Sequence, residues 1–538
     1  MAQVSFLPLL GLNTIFSYLA SRYLNYDAVN SILTSNGILF FTYFFIWSSF
    51  IYPYYVSELR HIPTVPGCPI WGQFFNIITE EVGTPHRRWH EKHGLIVRYF
   101  FPFGGERISV AEDDALKHMT VRNPYNYPKP LRARLWMRRV LGEGVLLAES
   151  SEHAHQRKAL SPGFSIQSIR ALHSVFWEKA LLMCECIRDE MRSANQTTIS
   201  AEMLEWNNRT TLDIISKAGF GYDVDSLTQP ETPLRQAYRQ IFDFSPFAHA
   251  LYGIQAYLPW VSHLPVKMNR DLLESGDIIR SKATEIIHTK IAEAEHNTTG
   301  KDIIGLIAKD NKKLQDAGEA GLSFETMRDQ IMTFLGAGHD TTATGVSWTI
   351  HLLSTHPEVQ SRLREEIKDY LPFLFKTHSR FDPDELEAAD VDQLPYLEKV
   401  CKESLRYIPP IPLTVRQTVE DDKLAGYHIP AGTVCYVFAN CINRLSCYWG
   451  DSANKFDPER WDNLPPTWTN NAFMTFLQGP RGCIGRKFAE TEMKMMLCSL
   501  LSMYDFKRDE DVENPEDWKM WRLVLRPKNG VVVKMTAI

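Results

Sequence analysis

Residues 476–490 read FLQGPRGCIGRKFAE, so a single cysteine, Cys483, sits among three glycines, a proline and two arginines. A cysteine that only fills a core needs none of that neighbourhood. A thiolate ligand of a haem iron does, because a Cys sulfur pushes electron density onto the metal and must itself be stabilised. Turns built with Gly479, Gly482 and Gly485 are expected to bring backbone N–H groups close to the sulfur and so tune the iron. Arg481, two residues before the cysteine, is placed to meet a haem propionate, and Phe476 to shield the sulfur side from water. A helix starting near Arg486 would direct its positive N-terminal end toward the thiolate.

Phe476, Gly479, Arg481, Cys483 and Gly485 fill the pattern F-x-x-G-x-R-x-C-x-G, which resembles the haem-thiolate signature of the cytochrome P-450 family. The resemblance runs from His61 to the C-terminus, with motif order and spacing kept. It implies a P-450 fold, haem b as the cofactor, Cys483 as the axial ligand of its iron, and a monooxygenase activity. Periodicity agrees on the class: residues 166–192, 271–296 and 323–354 read as long amphipathic helices, with strand-rich pieces near 95–111, 414–438 and 531–535. The expectation is mainly α with small β-sheets.

Within residues 323–353, SFETMRDQIMTFLGAGHDTTATGVSWTIHLL, the helical spacing is interrupted by Gly336, Ala337, Gly338, Asp340, Thr341 and Thr342. Each interior glycine costs a helix about 1 kcal/mol relative to alanine, so a weakened centre predicts a local opening where a small ligand fits over a flat macrocycle. Oxygen activation needs protons delivered by a positioned relay, and a carboxylate next to a hydroxyl supplies one. Residues 337–342 resemble the family's A/G-G-x-D/E-T-T, which implies Thr341 beside the bound oxygen and Asp340 as its proton source. His339 is read as outward-facing or hydrogen-bonded filler.

Glu403 and Arg406 lie three apart on a predicted helix and share a face. They resemble the family's E-x-x-R, which implies a structural triad with Arg460 from FDPERW. Two further arginines fit propionate roles by the same resemblance. Arg157 stands where a W-x-x-x-R helix places its arginine, although His153 occupies the tryptophan position, and Arg416 follows the segment after the E-x-x-R helix.

Around this unit the composition is ordinary: 44% hydrophobic, 23% charged, and a net charge of −6 with no basic stripe, which argues against nucleic acid as a partner. The 9 cysteines form no C-x-x-C pair, so no disulfide framework or zinc ribbon is written into their spacing. Cys184, Cys186, Cys435, Cys441 and Cys447 are read as packing residues. Residues 37–56, GILFFTYFFIWSSFIYPYYV, are uncharged and long enough to cross a bilayer. A second uncharged run, 4–21, is either a second span or an interfacial helix. The expected organisation is a membrane anchor over 1–60, a Pro-rich hinge over 61–72 and a catalytic domain over 73–538.

Residues 241–260 are apolar and aromatic-rich, and with Ile411, Leu413 and Val415 they suggest a lipophilic small-molecule substrate. The paired hydrophobic N-terminal runs and the motif variants resemble fungal members of the family most, which implies a secondary metabolite such as a terpenoid or polyketide. No nicotinamide or flavin fingerprint is present, so electrons are expected from a separate protein, which the resemblance implies is a membrane-bound NADPH–haemoprotein reductase, with Lys487 and Lys494 as candidate docking charges. Residence in the endoplasmic reticulum membrane, with the catalytic domain facing the cytosol, follows from the same resemblance. Two other readings stand beside it: a haem-thiolate isomerase or dehydratase, and a haem or lipid binding protein without turnover.

Overall fold

A computed structural model of the protein describes all residues except 1–5, 25, 243–254, 256–258, 297, 299, 377–384, 387–388 and 522–523. It opens with two apolar helices, α1 (Phe6–Leu24) and α2 (Ala28–Ile46), the second capped by Asp27, whose side chain accepts from the Val29 and Asn30 amides. A wider π-helical stretch, Trp47–Val56, continues α2, so the apolar helix runs over Ala28–Val56. It therefore begins earlier than the charge-free run from Gly37, because polar but uncharged Asn30, Ser31, Thr34 and Ser35 remain helical.

The end of this helix is tied to the strand pair β1 (Ile96–Phe101) and β2 (Gly105–Val110), an antiparallel hairpin in the register Ile96↔Val110. Arg98, 3% exposed, donates to Pro53 O at 3.0 Å and to Glu106 Oε1 at 2.8 Å, while Ser57 Oγ donates to the same Glu106 oxygen at 2.7 Å. Gly104 lies so close to the helix that a Cβ there would stand 1.9 Å from Ser48 O. The proline-rich segment is extended and laid along β1: Arg98 N donates to Pro63 O and Val65 N to Arg98 O, each at 2.8 Å.

The body is helical, built from α3 (Leu131–Leu141), α4 (Ser150–Leu160), α5 (His173–Ser193), α6 (Met203–Phe220), α7 (Lys267–Glu295), α8 (Phe324–Thr355), α9 (Pro395–Tyr407) and α10 (Arg486–Met503). The helix read over 166–192 is split, with a short Ile166–Arg170 turn before α5. β3 (Thr198–Glu202), β4 (Thr414–Gln417), β5 (Asp422–Leu424), β6 (Tyr427–Ile429), β7 (Val434–Val437), β8 (Tyr504–Arg508), β9 (Lys519–Trp521), β10 (Leu525–Pro527) and β11 (Val532–Ala537) complete the strands. They form small sheets in the orders β1-β2-β7-β4, β3-β11-β8, β5-β6 and β10-β9. α8 and α10 pass through the core, with Ile331, Leu335, Val346, Ile350, Met495, Leu497 and Leu500 all fully buried.

Behind the cysteine loop, Glu403 and Arg406 pair in two parallel contacts, Nη2 to Oε1 at 2.7 Å and Nε to Oε2 at 2.8 Å, both side chains being fully buried. Arg460 Nε reaches Glu403 Oε1 at 3.3 Å, and the Trp461 indole N–H donates to Oε2 at 3.2 Å. The arginines spend their remaining N–H groups on carbonyls: Arg406 on Asn443, Ala453 and Lys455, Arg460 on Trp449, Ser452 and Lys455. Since removing one partner of a buried pair strands the other charge, Glu403→Gln is expected to cost about 3–5 kcal/mol of stability. A chemical-denaturation midpoint close to that of the parent would show that the carboxylate charge is dispensable.

Candidate functional site

The cysteine loop lies between β7 and α10 and is closed on itself, with Cys483 N donating to Phe476 O at 2.8 Å and Gly482 N to Gly479 O at 2.9 Å. Left-handed backbone is found at Gly479 (φ +70°) and, unexpectedly, at Leu477 (φ +56°). Gly482 (φ −62°) and Gly485 (φ −86°) have ordinary φ, and of the glycine N–H groups expected near the sulfur that of Gly485 acts on it. Gly479 also sits against the chain ahead of it: a Cβ there would lie 2.0 Å from Thr120 O. At Gly485 a Cβ would meet only Phe164, 3.9 Å away, so this glycine leaves open space beside the cysteine.

Cys483 has accessible surface, yet its thiol pKa is pushed up by burial, with the Gly485 N–H and the nearby Arg157 acting in the opposite direction. Together these place the sulfur on an internal space and not on bulk solvent. Of the other cysteines, Cys184, Cys401, Cys435, Cys441 and Cys498 are buried and Cys186 is half-buried, whereas Cys68 and Cys447 are exposed, so Cys447 is no core residue.

Cations gather around the same space. Arg157 Nη1, from α4, donates to Gly482 O at 2.6 Å. Arg416, in β4, is 7% exposed and spends one nitrogen on Thr414 Oγ1 and Val415 O, while burial and Arg481 lower its pKa to about 10. Arg481 lies above the Tyr125 ring and forms an ion pair with Glu149, but none of its guanidinium nitrogens makes a well-directed hydrogen bond among the described residues. Lys129, absent from the sequence reading, completes the group: burial, reinforced by Arg416, holds its ammonium down to about 7 despite Glu149. His153 is buried, with Nδ1 3.2 Å from the Tyr125 hydroxyl, and burial with Arg481 depresses it to about 4. Four cations facing one carboxylate call for further negative charge, and a buried arginine lacking directed acceptors offers it a fork. The donor set fits a haem with its two propionates.

α8 carries the second predicted motif. Its glycines do not open the helix, which is continuous; they admit neighbours. A Cβ at Gly336 would stand 2.4 Å from Leu141 Cδ2 of α3, and one at Gly338 2.8 Å from Ile215 Cγ1 of α6. Thr341 is partly exposed and donates to Ala337 O at 2.7 Å. Asp340, 1% exposed, points elsewhere and forms an ion pair with Arg526 of β10. His339 is buried, with Nδ1 2.6 Å from Leu335 O, and burial lowers its pKa to about 4.

Sequence reasoning missed Lys129, Glu149 and Arg526, since none sits in a motif and each joins the site only through tertiary contacts. Lys494 must be removed from the docking surface: it is 3% exposed and held between Asp392 at 2.8 Å and Glu398 at 2.6 Å. Lys487 is more exposed and also pairs with Asp392. Most of the aromatic run 241–260 lies outside the described residues, while Ile411, Leu413 and Val415 are partly exposed as they enter β4. Gly479→Ala, which combines a positive φ with a backbone overlap, is expected to destabilise the loop by more than about 1 kcal/mol. A melting temperature and bound-haem content equal to those of the parent would refute that strain.

A family model described as Cytochrome P450 matches residues 63–535. Cytochrome P450 monooxygenase sphH of Aspergillus fumigatus is 35% identical over 516 residues, covering 92% of this chain and 91% of that one. Cytochrome P450 monooxygenase ALT8 of Alternaria alternata is 31% identical, covering 92% of each, and FUM15 of Gibberella moniliformis is 33% identical, covering 87% and 86%. With the helical fold and the cysteine loop already in place, these matches identify the chain as a member of the cytochrome P450 family, a haem-iron monooxygenase.

Proposed function

We propose that this monooxygenase inserts one atom of dioxygen into a lipophilic secondary metabolite of fungal type, with electrons from NADPH through a separate membrane-bound reductase. The observation that carries the reading is the cation group beside Cys483: Arg157 acts on the sulfur and donates to Gly482 O, while Arg481, Arg416 and Lys129 gather with Glu149. The partly exposed Ile411, Leu413 and Val415 support an apolar substrate, and the fungal sources of the relatives support the metabolic setting.

In this reading Cys483 is the thiolate ligand, moderated by the Gly485 N–H and by Arg157. Arg157, Arg416, Arg481 and Lys129 take the propionates, with Phe476 and Gly479 shaping the loop beneath. Bound haem supplies the iron at which dioxygen is reduced and split. Asp340 and Thr341 are the acid and hydroxyl of the proton relay in this reading, the Thr341 hydroxyl being held by Ala337 O and the Asp340 carboxylate by Arg526.

The N-terminal helices support a membrane location, with the endoplasmic reticulum and a cytosolic catalytic face as the finer proposal. α1 and α2 each hold 19 residues, about 28 Å at roughly 1.5 Å per residue, close to the hydrocarbon thickness. Between them runs a polar ladder: Asn13 Nδ2 donates to Ser35 Oγ at 2.7 Å and Asn36 Oδ1 at 2.8 Å, Ser17 Oγ to Ser35 Oγ at 2.7 Å, and Asn36 Nδ2 to Thr14 Oγ1 at 2.9 Å. Polar side chains that satisfy each other while Leu12, Phe16, Phe41 and Phe44 face outward suit a hairpin within lipid. It puts the N-terminus and the catalytic domain on one side.

The first experiment is a carbon monoxide difference spectrum of the reduced protein. A strongly red-shifted Soret band in the parent, lost in Cys483→Ala, is expected; a normal band in well-folded parent protein would sink the thiolate assignment. Thr341→Ala should keep that band while product per NADPH falls by about 10²-fold. Lys129→Met should speed haem loss to apomyoglobin, and an unchanged rate would remove Lys129 from the propionate group. A glycosylation acceptor inserted at residues 25–27 should be modified in microsomes while one at the N-terminus is not; the reverse pattern would exclude the hairpin.

A further inference from the structure

Four side chains of residues 118–127 converge on one carboxylate, that of Asp422 at the start of β5. Its Oδ2 lies 2.9 Å from His118 Nε2 and accepts from the Tyr127 hydroxyl at 2.9 Å, from Asn123 Nδ2 at 3.1 Å and from Asn126 Nδ2 at 3.2 Å. Oδ1 accepts from the Lys423 amide at 2.7 Å. A carboxylate oxygen offers roughly two lone-pair sites, so four groups crowd onto Oδ2 and only a negative charge suits them all. Burial works to raise the Asp422 pKa, but the His118 ring, the Lys423 amide, Tyr127 and Asn126 hold it down to about 2.

The stretch that Asp422 gathers is the one that meets the cysteine loop. Thr120 O stands where a side chain at Gly479 would be, and the Arg481 guanidinium lies 5.2 Å from the centre of the Tyr125 ring. Backbone bonds join the same stretch to the chain that follows Arg416: Gln417 N donates to Pro128 O at 2.9 Å, Val419 N to Asn126 O at 3.0 Å and Glu420 N to Asn126 Oδ1 at 2.8 Å. Tyr125 falls between Asn123 and Asn126, so its backbone is held on both sides by residues bound to Asp422. Arg481 depends on that ring for its place. It pairs with Glu149, yet its nitrogens make no well-directed hydrogen bond among the described residues, and a guanidinium over an aromatic face stays where the ring puts it.

We propose that Asp422 is a positioning residue: through Tyr125 it fixes Arg481 where that arginine can hold a haem propionate. The inference rests on the reading of Arg481 as a propionate residue. Without the charge on Asp422, His118, Tyr127 and the two side-chain amides lose their shared acceptor and the stretch relaxes. Tyr125 then no longer holds the guanidinium in place before the propionate arrives, and the ordering that the fold now supplies must come out of haem binding.

The test is a double-mutant cycle on the haem-loaded full chain, read as the rate of haem release to apomyoglobin. Arg481→Met should speed release, and Asp422→Asn, which keeps the shape and removes the charge, should speed it about tenfold, the worth of one hydrogen bond to a charged group. Together the two should release haem no faster than Arg481→Met alone, because Asp422 acts through the arginine. Equal acceleration by Asp422→Asn in both backgrounds, as general loosening of the fold would give, overturns the proposal, and so does an unchanged rate in Asp422→Asn. Should Asp422→Asn not fold, Tyr127→Phe removes one donor from the carboxylate and keeps the ring; about threefold faster release, confined to the background with Arg481, is then expected, and the same effect in both backgrounds overturns the proposal. Failure of the underlying reading is distinct: an unchanged rate in Arg481→Met alone removes Arg481 from the propionates, and the role of Asp422 falls with it.

Discussion

A carboxylate that cannot reach water, Glu403, organises the half of the protein that presents the cysteine. Two arginines and a tryptophan N–H satisfy it, and the arginines in turn bind carbonyls of residues 443–455. From there the connection is direct. Asn443, whose carbonyl accepts from Arg406, receives the Met474 amide at 2.8 Å and donates to Thr475 Oγ1 at 2.9 Å, while Thr475 Oγ1 donates to Leu405 O at 2.8 Å. Phe476 follows, and its carbonyl closes the loop onto Cys483. A buried charge is costly unless every lone pair is used, and using them all leaves the loop few alternative positions.

The internal space follows a complementary rule. It collects several cations around the one carboxylate Glu149, and the depressed ammonium of Lys129 and guanidinium of Arg416 record their burial, reinforced by Arg416 at Lys129 and by Arg481 at Arg416. Such a cluster is unfavourable alone and becomes favourable beside a dianion. α8 stays an unbroken helix, because the side chains its glycines lack are replaced by Leu141 and Ile215. The helix can thus approach its neighbours closely while Thr341 stays partly exposed.

Much of this was legible in order along the chain. The loop from Phe476 to Gly485, the pair three apart at Glu403 and Arg406, and the Asp340-Thr341 step are short-range patterns, each within one element or one turn. The strand pairs near residues 95–111 and 414–438 and the long helix over 323–354 were readable from periodicity for the same reason. What misled was assigning a use to a small residue from its type: Gly336 and Gly338 serve helix packing and do not open α8, whereas the Gly485 N–H does reach the cysteine. Lys494 looked like a surface charge because its partners, Asp392 and Glu398, lie about a hundred residues earlier.

The sequence by itself determined the family, a lone cysteine in a glycine- and arginine-rich loop, an adjacent acid and hydroxyl in the middle of α8, and an apolar N-terminus long enough to cross a bilayer. Those depend on residue identity at fixed spacing, which a chain carries whether or not it is folded. Only the tertiary structure decided that Glu149 and Lys129 join Arg481, that Asp340 pairs with Arg526 across 186 positions, and that Asn13 and Asn36 lock two helices together. Pairings of that kind are set by which buried groups find a partner once water is excluded, and that depends on the packing of the whole molecule.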